Sequence, residues 1–259
     1  MRIRLSLLAL VLVATSCSGD ADEATPSSSS VPPTTTTTAA PVTTTSAAPV
    51  TTTTASGTFA VPESDLPGEP IDVAPPEGTT LSVLGVRHDD ILNVRRIPGL
   101  NGEILDTLAP TSDDSVATGR SRQLPNSVWW EVTTATGVIG WVSSSYTAVM
   151  GVTNDHTFAI LGEVGAVEGT IADVGQAVAD SQSQGEATRR IEMVVAPTAG
   201  DLGEVTFDVV GLGDDAVAGL RLHVFAVDES GDGTYTIKTV EVTAMCQSYR
   251  GGTPGEPCP

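Results

Sequence analysis

Three histidines, three cysteines and one carboxylate-rich turn are the residues of this chain best equipped for chemistry. His88, His156 and His223 lie too far apart to share a metal-ligand spacing. Asp228-x-Ser230-x-Asp232-Gly233 has the alternating oxygen donors of a calcium loop. Its twelfth position, where a bidentate Glu belongs, is Thr239, so the stretch reads as a Gly-rich hairpin turn. A Cys–His nucleophile would need Cys246 as a free thiolate, and Cys258 stands close enough downstream to pair with it in a disulfide once the chain is exported to an oxidising compartment. No nucleophile elbow, phosphate loop or dinucleotide fingerprint occurs. The sequence therefore predicts no catalytic residue, no metal and no cofactor. It predicts a binding protein, not an enzyme.

Candidate binding residues lie in two short stretches. In Ile91–Gly99, "ILNVRRIPG", strand alternation sends Leu92 and Val94 to one face and Asn93 and Arg95 to the other. Asn93 and Arg95 form either a polar recognition edge for a peptide or glycan, or turn-fixing hydrogen bonds and a surface ion pair. Trp129 and Trp130 are adjacent, so in a strand they point to opposite faces. Trp130 is expected in the core with Val128 and Val132. Trp129 then lies opposite, with Trp141 or Tyr146, as an exposed aromatic platform or as a cover over the open end of the core.

The elements that must position these residues differ between two stretches. Over 80–150 the chain breaks into short alternating segments: Leu81–Val86, Ile91–Arg95, Glu103–Leu108, Ser115–Thr118, Val128–Thr133 and Gly137–Ser143. That spacing predicts a small, mostly antiparallel β-barrel. Over 153–259, Thr170 is a predicted N-cap, followed by Ile171, Val174 and Val178 at helical spacing and a stop near Ser183 to Gly185. Strands are predicted at Arg189–Ala196, Glu204–Val210, Leu220–Val227 and Thr234–Met245. One helix and four strands make an α+β domain, a helix on an antiparallel sheet. The fold class expected is mainly β with a smaller α contribution.

Residues 80–150 carry a resemblance. "DDILNVRRIPGLNGEILDTLAP", then "VWWEV", then "GVIGWVSSSYT" is similar to bacterial SH3-like (SH3b) domains. That family pairs a Leu-Asn-Val-Arg strand and Pro-Gly turn with a Trp-containing strand and a closing Gly-Trp-Val. Arg96-Ile97 departs from its pattern, which has small residues before Pro-Gly. The resemblance implies an SH3-like barrel that binds cell-wall material, the peptide stems of peptidoglycan, with Asn93, Arg95, Trp129, Trp141 and Tyr146 as ligand-binding residues. The alternative is an interaction subunit of an envelope protein complex, with the barrel as a structural adaptor.

The N-terminal sequence predicts the compartment. Arg2 and Arg4 precede an apolar stretch, Leu5 to Val13, that is too short to span a bilayer and reads as a signal peptide. Ala14-Thr15-Ser16-Cys17 resembles a lipobox, which implies residues 1–17 are a signal with Cys17 as the lipidated residue. Ala14 departs from the aliphatic residue preferred there. Of the three cysteines, Cys246 and Cys258 are expected to form a disulfide, leaving Cys17 for the lipid. Residues 18–79 read as a disordered Thr/Ser/Pro-rich linker. Its 34 residues from Thr25 to Thr58 would average about 30 Å as a coil and about 105 Å as polyproline II. The formal charge is −20, with Lys238 the single lysine. No basic patch serves nucleic acid or an anionic lipid surface. The expected protein is extracytoplasmic, held to the outer face of the membrane by its lipid alone, with peptidoglycan or envelope proteins as partners.

Overall fold

The computed structural model describes residues 61–183 and 190–259. The predicted signal peptide, Cys17 and the Thr-rich tether lie outside the described residues.

Alternation of apolar and polar residues sets the strands. They are β1 (Glu69–Pro70), β2 (Thr80–Val83), β3 (Leu92–Arg95), β4 (Ile104–Leu108), β5 (Ser115–Leu124), β6 (Ser127–Thr133) and β7 (Ile139–Ser143). β8 (Thr147–Asp155) follows, then α1 (Thr157–Val164), β9 (Glu168–Gly169) and α2 (Ile171–Gln182). The chain closes with β10 (Arg190–Thr198), β11 (Leu202–Val210), β12 (Val217–Val227) and β13 (Tyr235–Gln247). The fold is mainly β. Among the described residues, thirteen strands join in one antiparallel sheet, in the order β10-β11-β12-β13-β8-β2-β5-β6-β7-β3-β4, with β1 on β5 and β9 on β13. This pairing path is open and does not close into a barrel.

Two expectations need correction. The described residues hold a second helix, α1, which sequence periodicity missed because it is only eight residues long and buries a single side chain, Ile160. β8 also runs straight through the expected break at 150–153. It pairs with β2 through Ala148 and with β13 through Thr153, so both stretches share one sheet.

Two cores flank that shared strand. In one, α2 covers β11 to β13, packing Val174 and Val178 against Val205, Phe207, Val224 and Val242. Thr170 caps α2 by accepting from the Asp173 N–H, and Asp173 reciprocates to the Thr170 N–H, satisfying two otherwise unpaired donors. The helix sits close because its middle carries Gly175, where a Cβ would stand 2.4 Å from Val205 Cγ1 and 2.7 Å from Phe207 Cε2. In the other core, Trp130 packs with Leu81, Val94, Val132, Val142 and Val149. Its indole Nε1–H donates to Ser248 Oγ at 3.1 Å, beyond the end of β13.

A buried ion pair ties these cores together, and a disulfide closes the C-terminal loop on the Trp130 core. Asp208, fully buried, accepts from Arg221 Nε at 2.8 Å, from Arg221 Nη2 at 2.9 Å and from the Gly85 N–H at 2.8 Å. Arg221 Nη2 also donates to the Val83 carbonyl at 2.8 Å. Removing either partner would leave a buried charge unpaired, so the pair enforces this register. Cys246 and Cys258 form a disulfide with Cα atoms 5.2 Å apart. Such a bridge persists in an oxidising, extracytoplasmic compartment. No helix among the described residues is long and apolar enough to cross a membrane.

Candidate functional site

A groove of about 360 Å³ opens where the β3 end of the sheet meets β10. Asn93, Arg95, Trp129 and Tyr146 line it, joined by Arg190 and Glu192 of β10. Trp141 does not.

The walls follow from local structure. β3 alternates as expected, with Leu92 and Val94 buried and Asn93 and Arg95 half-buried on the other side. Among the described residues nothing hydrogen-bonds the Asn93 amide, which leaves its donors and its acceptor open to the groove. Arg95 is partly committed, since its Nη1 donates to the Gly102 carbonyl at 2.8 Å and braces the following loop. That loop is also closed by Arg96 Nε on Glu103 Oε2 at 2.7 Å. Arg96, the residue that departs from the SH3-like pattern, is thus a loop clamp.

The opposite wall comes from β10. Arg190 lies with its guanidinium carbon 4.9 Å from the centre of the Tyr146 ring, a cation–π arrangement. Its Nη2 donates to the Gly85 carbonyl at 3.2 Å, and its Nε stands 3.4 Å from Glu192 Oε1. Gly85 makes this approach feasible. Its φ is +65°, and a Cβ there would stand 2.5 Å from Arg190 Nη2. The His88 N–H donates to the Met193 carbonyl at 2.9 Å, hooking the 84–90 loop to β10. Beside it, the Arg87 fork holds the Asp89 carboxyl below the usual carboxylate range.

The tryptophans require a correction. Trp129 and Trp130 do face opposite ways: Trp130 lies in the central core, while Trp129 joins Trp141 in a separate cluster. Neither Trp129 nor Trp141 is an exposed platform. They are 3% and 2% exposed, because Leu66 from the segment ahead of β2 lies on them. Sequence reading assigned that segment to the linker, through residue 79. From Val61 onward it is packed, with β1 paired to β5. Arg190 and Glu192 were also missed. The available signal was a cation opening an alternating strand in a chain with only twelve Lys and Arg.

Chemically, the groove offers an open amide, an aromatic ring and three guanidinium groups (Arg87, Arg95 and Arg190) against the carboxylates of Asp90 and Glu192. Arg87 is already paired with Asp89, so Arg95 and Arg190 are the cations left to meet a small ligand with an anionic group. The described residues hold no cluster of three or more His, Cys, Asp or Glu able to bind a metal. The Asp228 turn is closed by its own backbone: the carboxylate accepts the Gly231 N–H at 2.7 Å and the Gly233 N–H at 2.8 Å. Those bonds, that from Gly233 foremost, hold its carboxyl below the ordinary range. No protein-family model, curated protein or solved structure matches the chain.

Proposed function

We propose that this chain is an exported, lipid-anchored, non-enzymatic binding protein that presents an SH3-like module to the cell wall, with peptidoglycan peptides as ligands. The observation that carries the reading is the groove, which gathers Asn93, Arg95, Trp129 and Tyr146. The Leu-Asn-Val-Arg, Trp-Trp and Gly-Trp-Val elements support the module's assignment, and the disulfide supports export. Peptide stems bear carboxylates and amides, the groups that Arg190, Arg95 and Asn93 are equipped to bind.

The test is co-sedimentation with purified sacculi. Asn93→Ala removes an amide with no hydrogen-bond partner among the described residues, so it should leave the melting temperature unchanged and weaken binding about tenfold, about 1.4 kcal/mol. Arg190→Ala should weaken it further. Equal binding by wild type and both variants, or no binding by wild type, would sink the proposal.

A second reading, an interaction subunit of an envelope complex, is favoured by α1. That helix holds Phe158 93% exposed, with Leu161 at 39%. Large apolar side chains displayed together are an interface signature.

A further inference from the structure

Residues 61–71 lie across the face that Trp129 and Trp141 share. Leu66 packs with both indoles, and half-buried Val61 of the same segment joins Ile97 and Leu124 at the margin. β1 adds two residues to β5, in the register Glu69↔Gln123 and Pro70↔Arg122. Arg122 donates to the Gly68 carbonyl at 2.9 Å and the Glu63 carbonyl at 3.0 Å. Ser121 Oγ donates to the Ile71 carbonyl at 2.7 Å. The Glu63 carboxylate pairs with both Arg120 and Arg122. Main-chain bonds to a strand, one apolar anchor on aromatic rings and an acid against arginines are how an extended peptide docks.

We infer that residues 61–71 are a displaceable ligand held in cis, and that the face beneath them docks an extended segment of a partner protein with an acid three positions ahead of a leucine. The segment is lightly held. Leu66 is its only buried side chain, and Glu63 is 60% exposed. Its ladder spans two residues, and Pro67 and Pro70 have no N–H with which to extend it. Segments with so few buried contacts open at low free energy. What they uncover is two of the chain's three tryptophans beside two arginines, with Arg120 5.5 Å from the Trp141 ring centre. Trp and Arg are the side chains over-represented at binding hot spots. The charge fixes the partner's chemistry. The Arg122 side chain is only 5% exposed and takes its carboxylate partner from this segment, so an occupant without an acid there would leave a buried cation unpaired.

The inference does not depend on wall binding, and its test separates the two. The full chain carrying Leu66→Asp is compared with wild type, using a labelled synthetic peptide of residues 61–71 as probe. The variant should melt cooperatively, show greater acrylamide quenching of tryptophan and bind the peptide at least about 30-fold more tightly than wild type, whose face is free only when the segment lifts. A peptide carrying the same Leu66→Asp change should bind neither chain. Equal peptide affinity for both chains, or no binding by a folded, quenchable variant, overturns the inference. Should Leu66→Asp fail to fold, Glu63→Gln keeps the leucine and should still bind the peptide better than wild type; no gain overturns it. Reversible dimerisation of the folded variant would make a second copy the occupant and overturn the assignment to a partner protein. Sacculus binding is scored on the same chains, and its loss with peptide binding intact bears on the wall reading alone.

Discussion

The same sheet is covered in two ways. Over β11 to β13 the cover is α2, capped at Thr170 and burying Ile171, Val174, Gly175, Val178 and Ala179. Over the Trp129–Trp141 face it is the extended segment 61–71, burying Leu66 alone. A capped helix with a continuous apolar stripe is integral to its core, whereas an extended segment with one anchor can leave without dissolving what lies beneath. Burial of comparable completeness thus conceals different stabilities. The tryptophans are about as buried as Phe207, at 3% and 2% against 2%, yet their cover buries one side chain, Leu66, with half-buried Val61 beside it.

The largest effect should come from testing that contrast directly. Phe207→Ala, under α2, should cost about 3–5 kcal/mol, lowering the melting temperature by about 10 °C or more. Leu66→Ala should cost under about 1.5 kcal/mol, because the chain can lose the segment's docking and keep both cores. Paired thermal melts decide it. Equal losses would break the comparison and make 61–71 part of the core.

The two regions were unequally legible in the sequence. The α2 region announced itself through a cap residue, helical spacing and long alternating strands, since each face there meets one environment. The groove was half legible. Alternation put Asn93 and Arg95 on one face, but Arg190 and Glu192 reach it only through β8 pairing with both β2 and β13, a long-range register no local pattern encodes. The segment 61–71 was illegible for a related reason. Its composition is that of a linker, and its order comes from Trp129, Trp141, Arg120 and Arg122, all distant in sequence.

A smaller effect should follow from the disulfide, which sharpens the comparison from the Trp130 core, away from α2. Cys246 ends up buried in the same core as Trp130, and Cys258 packs against it. Replacing Cys258 with Ser should cost about 3 kcal/mol in the chain-entropy account of a short loop. The loss belongs to the exit loop, where the Gly255 N–H donates to the Met150 carbonyl at 3.0 Å, so hydrogen exchange should accelerate at Gly255. Unchanged exchange at Gly255 would mean the loop is held without the bridge.

The smallest effect concerns acid. On β4, Asp106 accepts from Thr136 Oγ1 at 2.6 Å, Thr134 Oγ1 at 2.8 Å and the Thr107 N–H at 2.8 Å. These bonds, that from Thr136 foremost, hold its carboxyl below the ordinary range despite some opposing desolvation. A carboxyl whose pKa is lowered by folding adds stability that is complete above its unfolded value, about 3.9, and is lost as pH falls through the folded one. The contribution should be under about 1 kcal/mol, since the group is partly solvated. Asp106→Asn should therefore be slightly less stable than wild type at pH 7 and should converge with it as pH falls below about 4. The check is denaturant unfolding at both pH values, with hydrogen exchange following the β3–β4 hairpin separately from β11 to β13. A gap between the two proteins that stays constant with pH would remove the charge from the explanation and leave only the hydrogen-bond geometry of Thr134 and Thr136.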